Sequence, residues 1–242
     1  MGKPTSGGAG GSGGRQRAEP APETPPPPVI TPPPARNITV SGNGLRDLQA
    51  MVGRRLKLSA EDVGDMIGAP DGSKIMVGSD GNGNIYLDAT HSDVDLMSQQ
   101  LWREDGKLVL YNNAIILNPD APKGMGTQII TRQVAAARKT GISSIELNAA
   151  GYPGSKNMNG YYTWSRLGFN AEIPDYKVSN MPAEIKGTMR NNTMLELYRT
   201  QAGRDWWKAN GNSMNMEFDT KANSKSSQAL DAYNEERRNR SG

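Results

Sequence analysis

A glycine-containing turn ahead of a helix is the first place in this sequence where residue types and spacing indicate chemistry. The segment "AIILNPDAPKGMGTQIITRQV" reads as a strand, a short turn and then a helix opened by Gly124 and Gly126. Glycine lets the backbone approach a ligand closely, and the first amides of a helix lack intrahelical acceptors at the positive end of its dipole. The segment therefore predicts a site for a phosphate or a diphosphate.

This turn departs from two common phosphate-binding motifs. It lacks the Gly-Lys-Ser/Thr ending of a P-loop and the third glycine of the dinucleotide-binding fingerprint. Gly-x-Gly before a helix also occurs in ordinary turns, so a purely structural turn stays open as the alternative. Lys123, just before Gly124, adds either a charge contact to the phosphate or an ordinary exposed lysine at a helix start.

A second segment with chemical potential is "NGYYTWSRLGF", residues 159–169, which packs three aromatic residues and a Gly-Phe pair into eleven positions. It reads as a helix that ends at Gly168. Two interpretations are possible from the residues alone: an apolar helix end, or one half of a cofactor site. Choosing between these two interpretations requires the elements that precede the segment in the chain.

The elements that position these segments follow from hydrophobic periodicity. "NITV" predicts a short strand, and two helices follow, the second with Ser59 as N-cap and Asp62 completing an approximate capping box. Four runs then read as strands joined by short turns, which favours antiparallel neighbours. These runs are "SKIMVG", "GNIYLDAT", "VDLMSQQLW" and "KLVLYNNAIIL".

The second half of the chain predicts an alternation of helices and strands. The helix opened by the glycine turn ends at Gly141, and the strand "ISSIELNAA" follows it. After Phe169 we expect a helix over residues 193–200, then a strand that carries Met214, Met216 and Phe218 on one side. The polar stretch "QALDAYNEERRNR" predicts a helix or a frayed tail.

A low-complexity arm with two parts precedes the expected domain. Residues 1–36 contain "GKPTSGGAGGSGGRQR" (2–17) and "PAPETPPPPVITPPPAR" (20–36), a flexible part and an extended part with too little apolar surface to fold. The Pro-x-x-Pro spacings suit a partner domain, although a plain spacer is the favoured interpretation. We therefore expect a disordered arm over 1–36, a folded domain over 37–222 and a polar helix or tail over 223–242.

The residue counts exclude several classes of protein. The chain has 242 residues and a net charge of +3, too weakly basic to imply nucleic acid without a clustered patch. With no cysteine and only one histidine, His91, thiolate and multi-histidine metal centres are excluded, and we expect no metal. No apolar run approaches the about 18 residues of a membrane span, and no signal peptide is recognisable, so we expect a cytoplasmic protein.

The order of elements and the two motifs together resemble the GNAT superfamily of acyl-CoA-dependent N-acyltransferases. The resemblance covers residues 37–218 in element order and is specific over residues 115–169. It implies an α/β fold, GNAT-like, with a mixed, mostly antiparallel central sheet flanked by helices. It also implies acetyl-CoA as co-substrate and an amine, of a small molecule or a protein, as acceptor.

In that family, backbone amides of the glycine turn hold the coenzyme A pyrophosphate, and the next helix lies beside the pantetheine arm. The resemblance therefore implies that the coenzyme-binding residues lie in the strand end, the turn and that helix. They are Ile115, Leu117, Lys123, Gly124, Met125, Gly126, Thr127, Asn157 and Trp164.

Two positions depart from the family pattern. Ala121 stands where the family has Arg or Gln, and Trp164 stands where it has a tyrosine that acts as general acid. An indole N–H is far too weak an acid for that role. On a helix Tyr161 lies about 60° from Trp164 and Tyr162 about 160°, so we expect Tyr161 to be the acid and Tyr162 a core residue.

The family mechanism also needs a base and an electrophilic contact. Glu146, on the strand after the glycine helix, is the candidate base, although its alternation with Ile145 and Leu147 also fits a solvent-facing residue. A backbone amide near Ile115 or Leu117 is expected to polarise the acyl carbonyl.

The departures leave two rivals to the enzyme. One is a catalytically degenerate GNAT-fold module with a structural role, for example in a phage particle, which the tryptophan, the alanine and the long arm favour. The other is a peptide- or nucleic-acid-binding protein that uses the basic arm; of these partners, nucleic acid is the less favoured.

Overall fold

The computed structural model describes residues 36–53, 56–156 and 158–241. The predicted disordered arm falls on residues 1–35, which lie outside the described residues. Arg36, predicted as the last residue of the arm, is held by the domain. Its backbone amide donates to Glu61 Oε1 at 2.7 Å, and its guanidinium pairs with Asp65 and donates to the carbonyl of Ala69.

Seven strands form one mixed sheet whose spatial order follows the sequence. Two neighbouring pairs, β1–β2 and β5–β6, are parallel, and the other four pairs are antiparallel. The prediction of a mixed, mostly antiparallel sheet is confirmed. The strands are β1 (Thr39–Ser41), β2 (Lys74–Ser79), β3 (Ile85–His91), β4 (Val94–Glu104), β5 (Lys107–Leu117), β6 (Ile142–Ala149) and β7 (Met214–Asp219).

Two predicted helix ends have the expected capping residues. Ser59 and Asp62 form the expected capping box, with Asp62 N donating to Ser59 Oγ and Ser59 N donating to Asp62 Oδ2. Gly141 ends α3 in the left-handed conformation. The helices are α1 (Leu45–Val52), α2 (Ala60–Ile67), α3 (Met125–Thr140), α4 (Gly160–Thr163), α5 (Asp175–Ser179), α6 (Ala183–Lys186), α7 (Met194–Leu197), α8 (Gln201–Asn210) and α9 (Lys225–Ser241).

Two helical segments differ from the prediction, and a third follows one of its two predicted alternatives. The aromatic segment divides into α4 and a 3-10 turn over Trp164–Leu167, which ends at Gly168 as expected. The helix expected over residues 193–200 is the single turn α7, and α8 follows it as a separate helix. The polar C-terminal stretch is the 17-residue helix α9.

The core lies on one face of the sheet. Alternate strand residues such as Ile85, Leu87 and Ala89 point into a hydrophobic cluster that also contains the buried residues of the helices. Residues of the opposite face stay open among the described residues, as Met76 and Tyr86 do with 55% and 39% of their surface exposed. Among the described residues, the helices therefore cover one face of the sheet, and we call the other, which is exposed over most of its area, the bare face.

No helix within residues 36–53, 56–156 and 158–241 has both the length and the hydrophobicity needed to cross a membrane.

Candidate functional site

The two parallel strands β5 and β6 separate at one end. Their pairing runs from Leu108 with Ile142 to Asn112 with Leu147. Beyond that point residues 114–117 of β5 pair only with β4, and the last residues of β6, Asn148 and Ala149, pair only with β7. The result is an opening between two neighbouring strands beside the start of α3.

A β-bulge in β5 accompanies this separation. Gln99 of β4 pairs with Asn112 and Ser98 pairs with Ala114, so Asn113 is an extra residue in the β5 strand. A bulge bends its strand and increases its local twist, and bulges are over-represented beside active sites. The bulge thus turns the last five residues of β5 away from β6.

A buried pair of amide side chains fixes α3 against the last paired residue of β5. Asn112 Nδ2 donates to Gln133 Oε1 at 3.1 Å, and Gln133 Nε2 donates to Asn112 Oδ1 at 2.9 Å. Gln133 Nε2 also donates to the carbonyl of Ile67 in α2 at 3.0 Å. Sequence reasoning missed both residues, although a glutamine on the apolar face of α3 was a visible signal of a buried polar contact.

The turn between β5 and α3 is held by backbone hydrogen bonds, one to Asp93 and two within the turn. Asn118 N donates to Asp93 O at 3.0 Å, Ala121 N to Asn118 O at 2.9 Å, and Met125 N to Pro122 O at 3.0 Å. Gly124, at the N-cap, has a φ of 92°, which glycine adopts without strain.

Four amides of the turn point away from internal partners. The first helical hydrogen bond of α3 runs from Gln128 N to Gly124 O at 3.1 Å. The amides of Lys123, Gly124, Gly126 and Thr127 have no acceptor among the described residues, whereas the Met125 amide is used inside the turn. Unpaired amides at the start of a 16-residue helix are the groups that bind a phosphate oxygen.

The end of β5 contacts the start of α3. A Cβ atom added at Gly126 would lie 3.7 Å from Leu117 Cδ1, an ordinary van der Waals distance. Ile115 and Leu117 are half-buried and pack against the core. The predicted strand residues and the predicted turn residues are therefore brought together at the opening.

Helix α9 supplies a cation that sequence reasoning missed. It lies alongside α3, with Asn234 Nδ2 donating to Thr131 Oγ1 at 3.2 Å and Arg138 Nη2 donating to Ser227 Oγ at 2.8 Å. The guanidinium of Arg237 lies against Gly124, so closely that a Cβ atom at this glycine would overlap it. A positive side chain thus meets the positive end of the α3 dipole, an arrangement that an anion between them would stabilise.

The predicted acid, Tyr161, has its side chain in the core. It is 6% exposed, and its hydroxyl donates to the backbone carbonyl of Lys208 in α8 at 2.9 Å. Burial raises the pKa of Tyr161 above that of a free phenol. Trp207 Nε1 donates to the Tyr161 carbonyl at 2.8 Å, so α8 holds both ends of this residue. The acid role stays a prediction, and it requires the bond to Lys208 to open.

The other aromatic residues of this segment are less enclosed. Tyr162, expected in the core, is half-buried against it, and Lys208 Nζ lies 5.4 Å from its ring centroid. Trp164 packs edge-on against Phe169 at 5.2 Å, and its indole Nε1 has no acceptor among the described residues. Asn157, also predicted to bind the coenzyme, lies outside the described residues.

Glu146 lies on the bare face of the sheet, one pair before the strands separate. Tyr111 is its partner on β5, and Glu217 is its partner on β7. Partial burial raises the pKa of the Glu146 carboxyl, and the negative charges of Glu217 and Glu104 raise it further. A carboxyl with a raised pKa beside the opening is a candidate general base.

His91 is not placed to act as a base. Its Nδ1 accepts a hydrogen bond from the amide of Asp93 at 3.0 Å, and its Nε2 lies 2.8 Å from the carbonyl of Asp71. Both ring nitrogens are therefore engaged by the backbone.

No protein-family model matches this chain, and no curated protein matches it by sequence.

Proposed function

We propose that this protein is an acyl-CoA-dependent N-acyltransferase with a GNAT-like fold, which transfers an acetyl group from acetyl-CoA to an amine. The observation that carries the proposal is the separation of β5 from β6 beside the unpaired amides of α3. An opening of this kind admits a thioester arm next to a group of amides that binds its diphosphate.

The turn and α9 together provide the diphosphate site. The amides of Gly126 and Thr127, with those of Lys123 and Gly124, donate to the phosphate oxygens. Ala121 cannot supply the charged or amide side chain that the family has at this position. Arg237, which lies against Gly124 from α9, provides a guanidinium there instead.

The residues at the opening then have defined roles in acyl transfer. The coenzyme supplies an acyl thioester, whose carbon–sulfur bond breaks as the amine nitrogen bonds to the acyl carbon. A backbone amide of Ile115 or Leu117 polarises the acyl carbonyl from the unpaired end of β5. Glu146 takes the ammonium proton of the acceptor, directly or through water, and this frees the lone pair that attacks.

As the carbon–nitrogen bond forms, the attacking nitrogen loses its second proton to water. The thiolate that leaves takes a proton from Tyr161, the proposed donor, and water then restores the phenol. The indole of Trp164 contributes a hydrogen bond and no proton, so the acid must be a phenol of the same segment. Donation from Tyr161 toward the thiolate requires its hydroxyl to turn from the carbonyl of Lys208.

A second candidate function is a GNAT-like module without catalysis that serves a structural or interaction role in an assembly such as a phage particle. Trp164 in place of a tyrosine and the engagement of the Tyr161 hydroxyl by α8 favour it. A partner bound through the proline-rich segment before residue 36 is compatible with both functions.

Calorimetry with acetyl-CoA separates the two functions. We expect binding in the micromolar range for the transferase, and no binding at millimolar concentration would leave only the module. A thiol-release assay with acetyl-CoA against pooled amines, peptides and tRNA then tests catalysis and identifies the acceptor. Binding without thiol release from any acceptor would support a module that retains the coenzyme site.

A further inference from the structure

A cavity of about 270 Å³ lies on the side of α9 that faces away from α3. Its walls come from the 3-10 turn after α4, from α7 and α8, and from α9. On α9 the lining residues are Ala229, Ala232, Tyr233 and Glu236, which share one helical face. The cavity is therefore separate from the glycine turn, which meets α9 through Asn234 and Arg237.

The charges around this cavity are predominantly positive. Three guanidinium groups, those of Arg166, Arg199 and Arg204, face the single carboxylate of Glu236. Glu236 is itself paired with Arg240, one helical turn further along α9.

Arg199 is the guanidinium with a carboxylate partner. Its Nη1 lies 3.2 Å from Glu196 Oε2, and Glu196 is shared with Lys225, whose Nζ lies 3.1 Å from the other oxygen. One carboxylate therefore pairs with two cations here, so this side of the cavity keeps a net positive charge.

Arg204 is held in a fixed orientation by neutral acceptors. Its Nη1 donates to the carbonyl of Tyr198 at 2.6 Å, and its Nε and Nη2 donate to Gln201 Oε1 at 3.2 and 2.9 Å. A guanidinium has five N–H donors, so these contacts leave two donors and the whole charge for a ligand. No carboxylate pairs with Arg204 among the described residues.

Arg166 is held by an aromatic ring. Its guanidinium carbon lies 5.1 Å from the ring centroid of Tyr233, a cation–π contact. Neither a hydrogen-bond acceptor nor a carboxylate contacts the guanidinium of Arg166 within the part of the chain that the structure describes. Two arginines with uncompensated charge thus converge on one cavity.

The walls between these arginines are apolar and aromatic. Leu195, Ala229 and Ala232 provide aliphatic surface, and Tyr198 and Tyr233 provide rings. The Tyr198 hydroxyl donates to the carbonyl of Tyr162 at 2.9 Å, so this polar group is already engaged within the protein.

We propose that this cavity binds a small molecule that carries an anionic group, a phosphate ester or a carboxylate, on a planar body. The guanidinium groups of Arg166 and Arg204 bind the anion, because an arginine donates two parallel hydrogen bonds to carboxylate or phosphate oxygens. The planar body stacks between the tyrosine rings and the aliphatic wall. This site is distinct from the proposed diphosphate site and does not depend on acyl transfer.

Titration calorimetry of the full chain with phenyl phosphate and with benzoate, at low ionic strength, tests the proposal. Phenol serves as the uncharged probe. We expect saturable binding of at least one of the two anions and none of phenol. Arg166→Gln and Arg204→Gln should each weaken binding about tenfold or more. Arg190→Gln, a neutralisation at an exposed arginine outside the cavity, is the matched control.

The two anionic probes distinguish the sources of the ligand, since tighter binding of phenyl phosphate points to a phosphate ester and tighter binding of benzoate to a carboxylate. Arg204→Gln also removes contacts to Tyr198, so its fold is checked by circular dichroism, and Arg166→Gln carries the test if it unfolds. Three outcomes would overturn the proposal. The first is that neither anion saturates the protein up to about 10 mM, a concentration at which a specific site is already weak. The second is that Arg190→Gln weakens binding as much as the cavity variants do. The third is that Arg166→Gln loses acetyl-CoA binding, which would assign the cavity to the coenzyme site.

Discussion

The guanidinium of Arg237 lies against the backbone of Gly124, at the first turn of α3. Two positive features, a side-chain cation and a helix N-terminus, are thereby placed together at the mouth of the opening between β5 and β6. Their proximity favours an anion at this point, and in the proposed transferase that anion is the coenzyme diphosphate.

Arg237→Gln should weaken acetyl-CoA binding by about tenfold, the effect of losing one charge-assisted hydrogen bond to phosphate. Calorimetry measures the change, and Arg238→Gln, an exposed arginine next to it on α9, is the control that should bind as the unaltered chain does. Tighter binding in Arg237→Gln would contradict the prediction, because it would mean that this side chain occupies the position of the phosphate.

Gly126→Ala tests the close approach of the turn to its ligand. The added methyl group has ordinary van der Waals room beside Leu117, so the fold should be retained while the surface that faces the diphosphate is altered. We expect acetyl-CoA affinity to fall by about tenfold or more, since backbone amides bind phosphate only when no side chain keeps it away. Gly187→Ala, which meets only the α6 backbone at 3.4 Å, should leave affinity unchanged. Equal binding by the two variants would remove Gly126 from the site.

The raised pKa of Glu146 predicts how the protein responds to pH. A carboxyl whose pKa is higher in the folded than in the unfolded state stabilises the fold at acidic pH and loses that contribution as pH rises through the folded pKa. Glu146→Gln should therefore raise the melting temperature at pH 7 relative to the unaltered chain, and by less at pH 4. Calorimetric melting at the two values measures this. An equal shift in melting temperature at both pH values would show that folding does not raise the pKa of the Glu146 carboxyl.

The same carboxyl should control the acid limb of the pH–rate profile for thiol release. As a base Glu146 must be deprotonated, so thiol release should rise with pH through its raised pKa. Glu217→Gln removes the negative charge directly across the strands and should move that limb to lower pH, whereas Glu235→Gln on α9 should not. A limb that stays in place in Glu217→Gln would exclude Glu146 as the titrating base.

The buried pair of Asn112 and Gln133 should be costly to break on one side. Gln133→Leu leaves the Asn112 amide and the Ile67 carbonyl without their partner, which costs about 1–3 kcal/mol of unfolding free energy. Gln128→Leu, at an exposed position of the same helix, should cost far less. Urea unfolding measures both, and the double change Asn112→Leu with Gln133→Leu should recover part of the loss. A Gln133→Leu protein as stable as Gln128→Leu would show that the pair does not hold α3.

Tyr161→Phe separates the structural role of this hydroxyl from its proposed chemical role. Loss of the hydrogen bond to the Lys208 carbonyl should lower the unfolding free energy by about 0.5–1.5 kcal/mol. If the phenol also protonates the thiolate, the turnover number for thiol release should fall while the acetyl-CoA affinity holds. Tyr162→Phe, whose hydroxyl makes no hydrogen bond to a described residue, is the control. Full turnover in Tyr161→Phe would remove Tyr161 from the mechanism.

Local patterns in the sequence were enough to predict most of the elements. The capping box at Ser59, the helix that starts after Gly124 and the ends at Gly141 and Gly168 all depend on contacts within a few residues. The alternation of Ile85, Leu87 and Ala89 likewise depends only on the period of a half-buried strand.

What the sequence determined by itself was therefore the strands, the helices with clear caps or periodicity, and the glycine turn. The tertiary structure decided which distant groups meet: Arg237 at Gly124, the Tyr161 hydroxyl at the Lys208 carbonyl, and Gln133 at Asn112. These contacts join segments far apart in the chain, and periodicity carries no information about them. The position of the Tyr161 side chain could not be predicted for a related reason. The segment divides into a short helix and a 3-10 turn, and angles calculated for a continuous helix do not apply to it.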